Sequence, residues 1–130
     1  MCGMPTSSLL DDLAWRGLIQ DSTDLAELRE HLDSGPRRFY VGFDPTAPSL
    51  TIGNLLAMSM VIRGARAGMG AVVLFGGGTG LIGDPSGKSN ERSLLPVEEV
   101  TANVARHQAL MTSVFERALS TDQMPEFVNN

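Results

Sequence analysis

Two stretches of this chain combine residue types that handle phosphates and small ligands. The first is Tyr40-Val41-Gly42-Phe43-Asp44-Pro45-Thr46, followed by Thr51-Ile52-Gly53-Asn54. The second is Gly76-Gly77-Gly78-Thr79-Gly80-Leu81-Ile82-Gly83-Asp84-Pro85-Ser86-Gly87-Lys88. Both follow a short apolar run, and both put glycines, small hydroxyls and a carboxylate where a strand would give way to a loop. Parallel α/β sheets build phosphate and small-molecule sites in that way, at the carboxyl ends of their strands. Lys88 and Arg92, just past the glycines, form a cationic pair suited to pyrophosphate oxygens. The chemistry served is that of a nucleotide-using enzyme.

Neither familiar phosphate loop is present. A P-loop needs one more residue between its glycines than separates Gly83 from Gly87, and a helix opening at the lysine, which Ser89-Asn90-Glu91-Arg92-Ser93 does not begin. Gly78, Gly80 and Gly83 have dinucleotide-fingerprint spacing, but Asp84-Pro85 follows instead of a helix. The five glycines within 76–83 exceed what a turn needs, and such residues let a ligand approach backbone amides. Asp84 reads either as an Asx-turn residue or, beside Thr79, as an acceptor for an ammonium group. Lys88 and Arg92 are either solvated surface charges or two arms reaching one anion. Tyr40 is either a half-buried strand aromatic or a ligand contact. Thr51 and Asn54 open a helix, and that same geometry is a ready anion site with neutral donors.

The elements that must position these residues follow from periodicity. Leu9, Leu10, Leu13, Trp15 and Leu18 predict a first helix after Ser7 and Ser8, with Trp15 as its anchor and Gly17 near its end. A second helix begins at Thr23 or Asp24, with Leu25, Leu28 and Leu32 on one side and Gly35-Pro36 as its stop. A strand is expected over 38–43, a helix over 52–67 carrying Leu55, Met58, Met60, Val61 and Ile62, and an apolar strand over 71–75. Strand, helix, strand is a βαβ unit. Residues 76–92 form a long glycine-rich loop of the kind that is usually functional. A last helix starts after Pro96, with Glu98 and Glu99 in its first turn and Val100, Val104, Leu110 and Val114 as its apolar side. Phe127-Val128 reads as a further strand, and a sheet edge left open after Phe75 or Phe127 would promote aggregation.

Length and composition bound the possibilities. At 130 residues the chain is one domain by size, but short for a complete two-substrate enzyme. Its 42% hydrophobic and 19% charged residues exclude a disordered or fibrous chain. A net charge of −5 argues against non-specific nucleic-acid binding through this part. With one cysteine, Cys2, no internal disulfide or thiolate cluster is expected. His31 and His107 show no metal-ligand spacing, so no protein-bound metal is expected. No signal peptide is apparent, and no run nears the ~18 apolar residues of a spanning helix. A cytoplasmic location with no membrane contact is the resulting expectation.

The two motifs, with Leu18-Ile19-Gln20 and Thr23-Asp24-Leu25 before them and Val128-Asn129-Asn130 after, closely resemble the bacterial tyrosyl-tRNA synthetase family. The resemblance implies a class I aminoacyl-tRNA synthetase that joins tyrosine to ATP as tyrosyl-adenylate, releases pyrophosphate and passes the tyrosyl group to tRNA-Tyr. It implies the amino-terminal portion of a Rossmann-like α/β catalytic domain over residues 37–130, preceded by a helical segment over 1–36, with the sheet incomplete. It also implies ATP as substrate with Mg2+ on the nucleotide, L-tyrosine and tRNA-Tyr as partners, and a homodimer for the full-length family. By the same resemblance Tyr40 would bond the substrate phenol, Gly42, Asp44, Gly53 and Asn54 would line the adenylate, and Thr46 would meet the terminal phosphate. Thr79 and Asp84 would hold tyrosine, while Lys88 and Arg92, on a mobile loop, would stabilise departing pyrophosphate. The sequence departs from the family where His-Ile-Gly-His is usual and Thr51-Ile52-Gly53-Asn54 stands instead, leaving neutral donors in place of two imidazoles. It also stops before the family's second half-site, signature lysine loop and tRNA-binding domains. The chain is therefore expected to be a truncated version of such an enzyme, or a non-catalytic nucleotide- or partner-binding module derived from one.

Overall fold

The computed structural model describes residues 7–78 and 96–130. In chain order these form α1 (Ser7–Trp15), α2 (Leu25–Asp33), β1 (Arg38–Phe43), α3 (Ile52–Arg66), β2 (Gly70–Phe75), α4 (Val97–Ala118), a 3-10 turn (Thr121–Gln123) and β3 (Glu126–Asn129). The strands make a parallel sheet in the order β1-β2-β3, with Tyr40 beside Val72 and Val72 beside Glu126. Strands alternating with crossover helices give this arrangement, because parallel neighbours cannot be joined by a tight turn. Of the two positions named for an open edge, Phe75 lies in the central strand and Phe127 in an outer one. Among the described residues the outer edges belong to β1 and β3.

Local chemistry sets the helix ends. The Asp24 carboxylate accepts from the amides of Ala26 and Glu27 at 2.8 and 3.0 Å, capping α2. At the end of α1 Gly17 has φ +66°; its amide donates to Ala14 O and that of Leu18 to Leu13 O. Gly68 repeats the pattern after α3 at φ +88°, with Gly68 bonded to Ala65 O and Met69 to Gly64 O. Only glycine takes this left-handed position at little cost, so both helices stop where the sequence places one.

The core lies on one face of the sheet. Phe43, Val73 and Phe75 pack there with Met58, Val61 and Ala65 of α3 and Met111 and Phe115 of α4. Phe127 stacks on Phe75 with ring centroids 6.0 Å apart. Gly64 lets α3 approach β1, since a Cβ there would lie 2.4 Å from the Phe39 ring. The other face of β1 presents Tyr40 and Gly42 to solvent, and the Arg38 guanidinium pairs there with Glu126 of β3.

The α1–α2 pair is fastened by charge. Asp12 pairs with Arg16 at 2.7 Å and with Arg63 of α3 at 2.6 Å, and Asp11 pairs with Arg29 at 2.6 Å. Two sequence expectations are overturned. Trp15 is 80% exposed, beneath the Arg16 guanidinium 5.2 Å from its ring, so Leu10 and Leu13 anchor α1 instead. Leu110 is also exposed. The buried stripe of α4 runs through Val100, Asn103, His107, Met111 and Phe115, and at 3.6 residues per turn Leu110 lies about 100° away from Met111.

Candidate functional site

Among the described residues, Asp44, Thr46, Thr51, Asn54 and Gly76–Gly78 follow the carboxyl ends of β1 and β2. The two strand exits are stitched together by the Gly76 amide, which donates to Phe43 O at 3.0 Å. From Phe43 the chain runs through residues 44–50 into α3, with Asp44 and Thr46 exposed and Pro45 between them buried. Tyr40, 70% exposed, and Gly42 stand on the same face of β1 leading to this exit. A Cβ built on Gly42 meets nothing within 4 Å, so the missing side chain leaves open space beside Asp44. On Gly53 the nearest atom would be Thr51 Oγ1 at 3.6 Å, an ordinary contact.

Thr51 is the N-cap of α3, and Asn54 folds back onto it. The Asn54 Oδ1 accepts from the Thr51 amide at 2.8 Å and from its hydroxyl at 2.9 Å. An amide oxygen only accepts, so the orientation is fixed by its partners, and the Asn54 NH2 group faces away with both hydrogens. The Thr51 hydroxyl proton is thereby committed within the protein. Of the two residues standing where the family usually has histidine, Asn54 retains a donor for an incoming anion. The helix is 15 residues long with no acidic residue in its first turn, so its dipole and orphan amides favour negative charge there.

The second motif enters this site at Gly76–Gly78, but its first amides serve the fold. The Gly77 amide donates to Asn129 Oδ1 and that of Gly78 to Asn130 Oδ1, both at 3.1 Å. The Asn130 amide in turn donates to Phe75 O at 3.1 Å. A Cβ on Gly77 would come within 2.3 Å of Asn129 Oδ1. A Cβ here would displace the Asn129 side-chain amide, so glycine at this position serves the approach of β3. Thr79, Asp84, Lys88 and Arg92 lie outside the described residues.

Four residues bond the strand exits and the 44–50 loop in roles not read from the sequence: Asn103, His107, Asn129 and Asn130. Asn103 and His107 lie in the buried stripe of α4, and their side chains bond the carbonyls of Pro45 and Ala47. The signal was present in the spacing, since a polar residue on an apolar helical stripe must find a buried partner. Val104 and Val114 pack against the same core beside this stripe, and Leu110 lies outside it. Among the described residues no group of three or more His, Cys, Asp or Glu side chains could hold a metal. Nor is any helix of theirs long and apolar enough to cross a membrane.

A parallel sheet whose adjacent strand exits meet beneath the open end of a crossover helix defines a Rossmann-like nucleotide-type domain. Comparison with known proteins narrows the class. The family model for tRNA synthetases class I (W and Y) matches residues 32–127, and the chain belongs to that family. Curated relatives are tyrosine–tRNA ligases: that of Rhodopirellula baltica is 44% identical over 125 residues, covering 96% of this chain and 28% of its own length. The ligase of Acidothermus cellulolyticus is 58% identical over 86 residues, 66% of this chain and 20% of its own length. Among solved structures, a C-terminally truncated mitochondrial tyrosyl-tRNA synthetase from Aspergillus nidulans superposes with a TM-score of 0.77 at 28% identity. That match covers 94% of this chain and 37% of the other. The chain thus spans between a fifth and two-fifths of the length of these relatives.

Proposed function

We propose that this chain supplies the ATP-facing part of a tyrosine–tRNA ligase, with the helical segment 1–36 leading into the catalytic portion 37–130. The observations that carry the proposal are the open space over Gly42 in β1, the exposed Asp44 and Thr46 that follow the strand, and the Asn54 NH2 group in the first turn of α3. A triphosphate laid across this exit meets a helix N-terminus and neutral donors. Its adenylate portion lies against Gly42, Asp44, Gly53 and Asn54, and Thr46 meets the terminal phosphate. Tyr40, Thr79 and Asp84 hold tyrosine, Tyr40 at the phenol and Asp84 at the ammonium group. Lys88 and Arg92 meet the pyrophosphate.

In the first step the tyrosine carboxylate attacks the α-phosphorus of ATP. A carboxyl–phosphate bond forms, and the bond to the bridging oxygen breaks with its electron pair leaving on pyrophosphate. No protein nucleophile is needed. The protein's work is alignment and stabilisation of charge developing on the leaving group. Mg2+ enters with the nucleotide phosphates. The second step passes the tyrosyl group to tRNA-Tyr. A homodimer and a cytoplasmic location complete the proposal.

The test is tyrosine-dependent exchange of labelled pyrophosphate into ATP by the purified chain, beside a Lys88→Ala, Arg92→Ala double variant that exposes host contamination. Exchange in the wild type alone supports activation of tyrosine. No exchange, with a melting temperature that ATP still raises, would leave a nucleotide-binding module. Neither exchange nor an ATP-dependent shift would overturn the proposal.

A further inference from the structure

The loop between β1 and α3 is held from behind by α4. Asn103 and His107 are the polar members of a stripe otherwise made of Val100, Met111 and Phe115. Asn103 is fully buried and His107 only 3% exposed. Asn103 Nδ2 donates to Pro45 O at 3.1 Å, and His107 Nε2 donates to Ala47 O at 2.8 Å. Arg106 Nη1 donates to Asn103 Oδ1 at 3.2 Å, which turns the amide so that its NH2 meets the carbonyl. A carbonyl only accepts, so the ring proton of His107 sits on Nε2. Its Nδ1 is buried without a partner among the described residues.

The spacing explains why two residues suffice. Four residues of helix advance about 6 Å, and two residues of extended chain advance about 6.6 Å. An i, i+4 pair on α4 therefore matches carbonyls two apart in the loop, one on each side of Thr46. Among the described residues, these two bonds are the ones that reach residues 44–50 from elsewhere in the chain. Proline at 45 and 48 removes two amide donors from this loop, so its backbone has fewer hydrogen bonds of its own to hold it. Apolar side chains would fill the same stripe without the desolvation cost of an amide and an imidazole. The polar pair is accounted for by the loop it holds.

We infer that Asn103 and His107 are positioning residues, a two-point clamp on the backbone either side of Thr46 that sets Asp44 and Thr46 for the nucleotide. What the loop binds rests on the proposed function, whereas the clamp itself does not. The experiment takes Asn103→Leu, His107→Leu and His107→Gln in the same chain, the last keeping an N–H donor near the position of Nε2. Two readouts are needed: amide hydrogen exchange of residues 44–51, and tyrosine-dependent pyrophosphate exchange. Both leucine variants should speed amide exchange in that segment while leaving β2 and α4 protected, and His107→Gln should restore the wild-type pattern. Misplacing a bound group by about 1 Å costs roughly 10²-fold in rate. The leucine variants should therefore lose about 10- to 100-fold in kcat, with the KM for tyrosine unchanged. Unaltered amide exchange at 44–51 would overturn the clamp, as would a loss shared equally by tyrosine binding. If the wild type shows neither pyrophosphate exchange nor an ATP-dependent rise in melting temperature, the functional proposal fails, and amide exchange alone decides the clamp.

Discussion

Replacing Gly42 by alanine separates a site from a mere gap. The residue lies in β1 without a positive φ, and a Cβ there meets nothing within 4 Å. The folded protein therefore accepts the methyl group without strain. Glycine inside a strand is worth roughly 0.5–1 kcal/mol less than alanine because its unfolded chain is freer. For a domain of this size that gain raises the melting temperature by roughly 2–4 °C. If a nucleotide occupies the space, the same methyl intrudes on a filled volume, and overpacking costs about 1–3 kcal/mol. That converts to roughly 5- to 150-fold in kcat/KM for ATP in pyrophosphate exchange. The assay is a thermal melt with and without ATP, beside exchange kinetics at varied ATP. Gly42→Ala should melt higher in the absence of ATP, show a smaller ATP-dependent rise and turn over more slowly. A variant that melts higher while keeping wild-type ATP kinetics would refute the assignment of that space to the nucleotide.

Gly64→Ala should behave in the opposite way. Its Cβ would meet the Phe39 ring at 2.4 Å, so an overpacking cost of about 1–3 kcal/mol outweighs the helix-propensity gain of about 1 kcal/mol. The melting temperature should fall, and Phe39→Leu in the same chain should recover part of it; strictly additive effects would contradict the contact. Lys88→Ala and Arg92→Ala should slow adenylate formation more than they weaken tyrosine binding, because they answer charge that develops in the transition state. Equal losses in rate and binding, read by pre-steady-state kinetics and a tyrosine titration, would remove them from the pyrophosphate site. Acid should loosen α1 and α2 first. The hydrogen bond from Arg16, with Arg63 nearby, holds the Asp12 carboxyl below its usual value of 3.8, and Arg29 does the same for Asp11. Groups with depressed folded values stabilise above the ordinary carboxylate range and lose that contribution as pH falls through the lowered values. Amide hydrogen exchange in α1 and α2 should report the change below about pH 4, and Asp12→Asn should flatten it; an identical acid profile in that variant would dissociate the ion pairs from the docking.

Sequence alone determined the local elements and their order, because their signals are short-range. The glycines at 17 and 68 stop helices, Asp24 caps one, and the apolar run of β2 reads as a buried parallel strand. The two motifs at the strand exits, and the family they resemble, were legible for the same reason: phosphate chemistry draws on a few residue types at close spacing. Partnership was decided only by the tertiary structure. Gly77 read as room for a ligand until β3 brought Asn129 against it. Thr51 and Asn54 read as two donors until the helix cap committed one to the other. Asn103 and His107 gained their partners only when α4 packed behind a loop more than fifty residues away in sequence. Helical spacing shows that such buried polar residues need partners, but long-range hydrogen bonds leave no local trace of which partners they join. They exist only once hydrophobic packing has fixed which faces meet, and that packing also selects which polar groups are spent on the fold and which stay open to a ligand.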